Sequence, residues 1–228
     1  VVGFGQCKQL EYVNIPETAT EIGAAAFAGA AITSIDIKNV KTIRHAAFRD
    51  CTKLKSIDLS NVTKLESTYR GNGTFLRCTA LEDIGDISQM TEIGEYEFNG
   101  CTSLKLDTLN LPNLTKLGTR AFEKTPIRHI VNLGQITYIQ DFGQMEKVED
   151  VIIPGTLVTG GNIFNHMRIS KHIIMLPTVP PSIGVYSFYN CQVPVIYVPD
   201  ASLEAYRTAT TWLTKASIIK PISEMPTE

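Results

Sequence analysis

Nine phenylalanines punctuate the chain at a nearly constant interval, and that spacing restricts its folding more than any other feature. They stand at Phe4, Phe27, Phe48, Phe75, Phe98, Phe122, Phe142, Phe164 and Phe188, with successive differences of 23, 21, 27, 23, 24, 20, 22 and 24. Other apolar positions keep their offset from each Phe. Around Phe48 they are Ile43, Cys51, Leu54, Ile57, Leu59 and Val62; around Phe27 they are Ile22, Ala30, Ile35, Ile37 and Val40. One such unit is too small to enclose its own apolar set, whereas stacked copies share a continuous core. The chain is therefore expected to be a solenoid of about eight repeats over residues 1–199, the first incomplete, with residues 200–228 capping the same domain.

Within a repeat, Ile57 and Leu59 alternate with Ser56 and Asp58, which predicts a short strand over 55–60 with one buried face. Ile35/Ile37, Val151/Ile153 and Ile196/Val198 repeat the alternation, and stacking would pair these strands in parallel. Pro16, Pro112, Pro154 and Pro199 close the strands, because proline cannot donate to a ladder. Then comes Ile-Gly-x-x-x-Phe, as at 22–27, 93–98 and 183–188. That spacing suits one extended residue leading into a single helical or 3-10 turn that points Phe inward. The Gly is expected to supply a backbone conformation that a β-carbon disfavours.

Three places break the metre. TYRGNGTF (68–75) reads as an inserted surface loop, PIRHIVNL (126–133) is one residue out of register, and ISKHIIMLPTVPPS (169–182) adds a residue and a proline-rich crossover. Past Pro199 the pattern stops. DASLEAYRTATTWL (200–213) predicts a terminal helix, N-capped by Asp200, covering the last open strand, and the tail after it should fray.

IGEYEFNGCTSL (93–104), IRHAAFRDCTKLKSIDLSNVTKL (43–65) and YVPDASLEAYRTATTWL (197–213) together resemble the BspA-like leucine-rich repeat family of bacterial surface proteins. The resemblance runs over essentially the whole chain, and its most specific marks are the Phe-x-x-Cys box and the terminal cap. It implies a right-handed leucine-rich-repeat solenoid, an α/β repeat with short parallel strands on one face, helical or 3-10 turns on the other and a C-terminal capping helix. It further implies an exported, surface-attached adhesion module with no enzymatic activity and no catalytic motif to carry over. Ala30 and Thr125 depart from the Cys of the box.

Composition narrows the function classes. Lys+Arg 21 against Asp+Glu 23 leaves a net charge of −2, which offers no electrostatic footprint for nucleic acid or an anionic membrane. No apolar run approaches the roughly 20 residues of a membrane span. The start at Val1 falls inside a repeat, so a signal or anchor is expected upstream.

No cofactor or metal site is expected. Cys7, Cys51, Cys78, Cys101 and Cys191 share one phase of the repeat, where Ala30 and Thr125 also occur; packing residues exchange in this way and ligands do not. Metal ligation or a redox ladder is the competing reading, and a Cys51–Cys78 or Cys78–Cys101 disulfide stays open. His45, His129, His166 and His172 fall at four phases, so no two are expected to converge. The Gly-rich stretches at 71–73 and 160–161 lack the Lys of a phosphate loop. Asn61, Asn72 and Asn113 begin N-x-T sequons, relevant only in a eukaryotic secretory pathway.

The candidate binding residues are strand positions expected to face outward: Asn14, Asp36, Asp58 and Asn110 in one row, Asp150 in the row beside it, and Ile152 and Tyr197 toward the C-terminal end. A solvated sheet face explains the polar rows equally well, and the terminal helix could cover the apolar end. The expected function is a non-enzymatic adhesion or interaction module. It would present its rigid face, as a monomer, to a protein or glycoprotein, with host extracellular matrix as one such partner. A spacer holding another domain off the cell surface is the alternative.

Overall fold

The structure, a computed structural model, describes residues 3–67 and 71–227. Its first five strands are β1 (Glu21–Ile22), β2 (Ser34–Ile35), β3 (Thr42–Arg44), β4 (Ser56–Ile57) and β5 (Lys64–Glu66). Next come β6 (Glu92–Ile93), β7 (Thr108–Asn110), β8 (Lys116–Leu117), β9 (His129–Asn132) and β10 (Tyr138–Ile139). The last five are β11 (Val148–Ile153), β12 (Thr159–Gly160), β13 (Ile169–Met175), β14 (Ile196–Val198) and β15 (Ile219–Pro221). All pairings are parallel, and the chain winds as a solenoid of about nine turns.

Each coil contributes to two sheets. The strand read from the alternating apolar pairs builds the six-stranded sheet β7-β9-β11-β13-β14-β15 and, upstream, the pair β2-β4, joined toward it by a bridge from Ser56 to Asp83. The extended residue before the Phe turn also pairs, giving a second sheet, β1-β3-β5-β6-β8, with β10-β12 beyond it. The Phe turns bond from coil to coil as well: the amides of Phe27, Phe48, Phe75 and Phe98 donate to Ala47, Thr74, Glu97 and Ala121 carbonyls at 2.7–2.9 Å. Within a turn, Cys51 N–H donates to Phe48 O at 3.1 Å, the three-residue reach of a 3-10 bond.

Aromatic rings form the spine of the core. Phe4, Phe27, Phe48, Phe75, Phe98 and Phe122 stack with centroids 5.2–5.7 Å apart. The stack resumes at Phe142, tilted 37° from Phe164, and continues to Phe188. Residues two before and two after Phe take left-handed backbone conformations, among them Ala25, Ala46 and Tyr96 before it and Gly29, Asp50, Gly100 and Asn190 after it. Gly, Asn and Asp accept that region most readily, which is why they recur two residues past the ring.

The Gly after Ile has a different cause from the expected one. Gly94, Gly118 and Gly184 have ordinary φ, but a β-carbon on Gly118 would overlap the Gly94 backbone, and one on Gly94 the Ser67 backbone. Close approach of successive coils selects glycine there. The out-of-register segments are absorbed as bulges: Val131 between the pairs Leu109–Ile130 and Asn110–Asn132, and Ser170-Lys171 between Val148–Ile169 and Asp150–His172.

The insertion before Phe75 behaves only partly as expected. Thr68, Tyr69 and Arg70 lie outside the described residues, while Gly73 and Thr74 are buried against the next coil, with no room for a side chain at Gly73 beside Tyr96.

The C-terminus corrects the expectation of a single covering helix. After a 3-10 turn at Asp200–Ser202 and α1 (Leu203–Thr208), a second 3-10 segment, Trp212–Ile218, leads into β15, which pairs with β14 in register Ile196–Ile219. Trp212 lies 24 residues past Phe188 and meets its ring edge-on at 5.4 Å, with Nε1–H donating to Pro181 O at 3.1 Å. The cap is thus a further coil with Trp in the place of Phe. Asp200 does not cap a helix; its carboxylate accepts the Ser223 N–H at 3.1 Å and ties down the tail expected to fray.

Candidate interaction face and the internal polar ladders

The cysteines resolve first. Cys51, Cys78, Cys101 and Cys191 are buried free thiols, and Cys7 is free and exposed, since the described chain stacks no coil upon it. Each of Cys51, Cys78 and Cys101 donates its S–H to the carbonyl of the preceding coil's Phe, at 3.0, 3.0 and 3.2 Å. Burial pushes the Cys51 and Cys101 thiols up to about 12 and Cys191 to about 11, so they resist forming the reactive thiolate. Thr125 Oγ1 donates to Phe122 O instead, within its own turn. Among the described residues no group of three His, Cys, Asp or Glu could hold a metal ion.

The polar row at the strand ends holds turns together. Asp36, Asp58 and Asp86 accept the backbone N–H two residues on, from Lys38, Ser60 and Ser88, at 2.8–3.0 Å. Asn14 accepts from the Tyr12 hydroxyl at 2.9 Å. Asn110 is exposed and sits in register with Asn132, which caps Gly134 in the same way. The sequon residues Asn61 and Asn113 turn their amides to the preceding coil, donating to Lys38 O and Ser88 O at 3.1 and 3.0 Å.

The six-stranded sheet carries a different arrangement. Arg128 bridges Asp107, Nε to Oδ1 at 2.6 Å, and Glu149, Nη1 to Oε1 at 2.9 Å; Lys171 then reaches Glu149 at 3.0 Å. Hydrogen bonding to Arg128 holds Asp107 below the usual carboxylate range, and Lys171 does the same for Glu149. One row inward, His129 Nδ1 meets Asp150 Oδ2 at 2.7 Å. His172 is the register partner of Asp150 on the other side, so two histidines do share a row. The bulge at 170–171 sets His172 opposite Asp150, while His129 pairs with Asp150 with no register shift.

Beside that row, Ile152 and Ile174 are half-buried register partners. Tyr197 continues the same row, as expected, but it is only 6% exposed and its ring is met edge-on by His172 at 5.8 Å, so it is covered on that face and not open to solvent. The added strand β15 places Lys220 and Pro221 next to it, so the last strand expected at the edge is an interior one.

One buried carboxyl escaped sequence reasoning. Glu97 occupies the position before Phe that elsewhere holds Ala26, Ala47 or Ala121, and nothing in its neighbours marks it as special. Its Oε2 accepts the Thr74 N–H at 2.6 Å, while Oε1 lies beside the Ser67 and Gly94 backbone without a well-formed bond. Burial pushes this carboxyl up to about 7, against the pull of the Thr74 hydroxyl and amide.

With this geometry in view, residues 3–70 and 68–194 match the model of the BspA type leucine-rich repeat region, in six copies. The chain belongs to the BspA-type leucine-rich repeat family. No curated protein matches it. Among solved structures it is similar to a leucine-rich repeat protein from Bacteroides ovatus ATCC 8483, at 24% identity and TM-score 0.54, over 86% of this chain and 57% of that one. It is also similar to a leucine rich cell surface protein from Faecalibacterium prausnitzii A2-165, at 22% identity and TM-score 0.38, over 83% of this chain and 60% of that one. This BspA-type chain therefore spans well under two thirds of the length of either protein. The family and its fold are typically non-enzymatic and serve protein interaction or structural roles. No described helix is long and apolar enough to cross a membrane.

Proposed function

We propose that this chain is a non-enzymatic interaction module, displayed at a cell surface or secreted, which binds a protein or glycoprotein through its six-stranded sheet. Host extracellular matrix supplies partners of the right kind. The observation carrying this reading is the juxtaposition on one rigid face of the half-buried Ile152–Ile174 pair with the alternating ladder Asp107, Arg128, Glu149 and Lys171. An apolar centre beside a charged margin is the anatomy of protein interfaces. The upstream residues Asn14, Asp36 and Asp58 serve as turn and strand-end partners, so the binding role concentrates on Asp150 and Ile152 with Asn110 at the margin.

The test is capture of extracellular-matrix and plasma proteins on the immobilised full chain. Ile152→Glu and Arg128→Glu should each weaken capture at least tenfold, and Asp58→Lys, off this sheet, should leave it within twofold. Captured proteins indifferent to both sheet variants would refute the assignment. No capture at all would shift the reading to a spacer, a role that the inter-coil hydrogen bonds along both sheets and the Phe turns also suit.

A further inference from the structure

A second site lies on the other sheet. Successive coils approach so closely at Gly94 and Gly118 that neither can carry a side chain, leaving a floor of bare backbone between flanking rows. The resulting trough, about 260 Å³, runs from Ser67 across Gly94 and Gly118 to Gln140, with Tyr138 as one wall. That volume sits just under the range that encloses drug-sized ligands, which suits a ligand lying in an open channel.

Three features define what would fit. First, the floor amides are already used: Gly94 N–H donates to Leu65 O at 3.0 Å and Gly118 N–H to Ile93 O at 2.7 Å. A peptide therefore finds no free strand edge to extend. Second, among the described residues the charged lining is Glu95 and Lys116, of opposite sign, and the other polar lining is hydroxyl and amide: Ser67, Thr115, Thr119, Thr137 and Gln140, besides Tyr138. A strongly charged ligand gains nothing there. Third, Tyr138 is 46% exposed, its hydroxyl bonded to Gln140, so its ring stands as an apolar plate beside a polar head.

At the inner end of the trough Ser67 is 2% exposed and its hydroxyl is closed off from solvent, so it shapes the end wall without contacting a ligand.

We infer that this trough binds a neutral hexopyranose chain, with one sugar ring against Tyr138 and ring hydroxyls bonded to Gln140 and the threonines. Sugars offer an apolar C–H face and a rim of neutral hydroxyls, which is what the aromatic wall and the uncharged polar lining complement. The site is separate from the six-stranded sheet, so it can fail without affecting protein capture, and the reverse.

Saturation-transfer NMR on the full chain, using maltotetraose, mannotetraose and chitotetraose as neutral probes and a sulfated heparin tetrasaccharide as the charged one, tests this. At least one neutral tetrasaccharide should receive saturation. Its affinity should fall tenfold or more in Tyr138→Ala and severalfold in Gln140→Ala, variants whose thermal melts report folding. Tyr12→Ala, an exposed tyrosine far along the chain, should bind as wild type. Absence of transfer to all three neutral probes, undiminished binding by folded Tyr138→Ala, or binding of the sulfated probe alone would overturn the inference.

Discussion

Removing one central ring tests whether the phenylalanine stack couples the coils. Phe75 is fully buried and stacks on Phe48 at 5.4 Å and on Phe98 at 5.3 Å. Losing its apolar burial costs about 2–3 kcal/mol, and losing two stacked pairs adds roughly 1–2. Phe75→Ala should thus cost about 4 kcal/mol, within the usual range for Phe→Ala in cores. Phe4 is 39% exposed and stacks on one neighbour only, so Phe4→Ala should cost about 2 kcal/mol by the same reckoning. Urea unfolding followed by circular dichroism and by fluorescence of Trp212, the chain's one tryptophan, reads both size and coupling. Because a solenoid's stability is a sum of coil and neighbour terms, Phe75→Ala should also separate the two probes, with the Trp212 transition lagging. Equal costs for the two variants, within about 0.5 kcal/mol, would refute the reasoning.

Three more outcomes follow from named groups. The Glu97 carboxyl binds its proton more tightly folded than unfolded, so its contribution is complete below pH 4.5 and is lost as pH rises to about 7. That interval is worth about 3 kcal/mol at most, and urea titrations from pH 4 to 8 should show wild type losing stability relative to Glu97→Gln across it. Thiol titration at pH 8 should find one fast-reacting cysteine, Cys7, in the folded chain and all five in urea. Trp212→Ala should cost about 3–5 kcal/mol by removing the ring that closes the Phe stack, whereas Leu213→Ala, on an exposed side chain, should cost under about 0.5 kcal/mol in the same melt.

The architecture was legible because it is written in a period. Phe, Cys and the alternating aliphatics each recur at a fixed offset, and every coil repeats the same burial problem, so nine copies of one signal outweigh the irregularities of any single one. What escaped are features without a period. The second sheet rests on two- and three-residue strands such as Glu21–Ile22, too short to alternate. Trp212 kept the interval but changed the residue type, which concealed the last coil. His172 comes opposite Asp150 only through the bulge at 170–171, and a bulge is invisible to residue counting. The candidate site was legible in part. Asp150 and Ile152 stand on the face now proposed, while Asp36 and Asp58 were drawn into the set because turn-capping and partner-binding demand the same residue types. Tyr197 stands in the expected row, but its covering escaped because the strand beside it, β15, has no alternation of its own.

Amide exchange at the Phe turns tests the stacked-coil architecture most directly. The N–H groups of Phe27, Phe48, Phe75 and Phe98 each donate to the following coil, so NMR-detected exchange should be slow at all four and should approach the rate set by global unfolding. Fast exchange at these four amides, with protection confined to the six-stranded sheet, would show that the coils do not share a core.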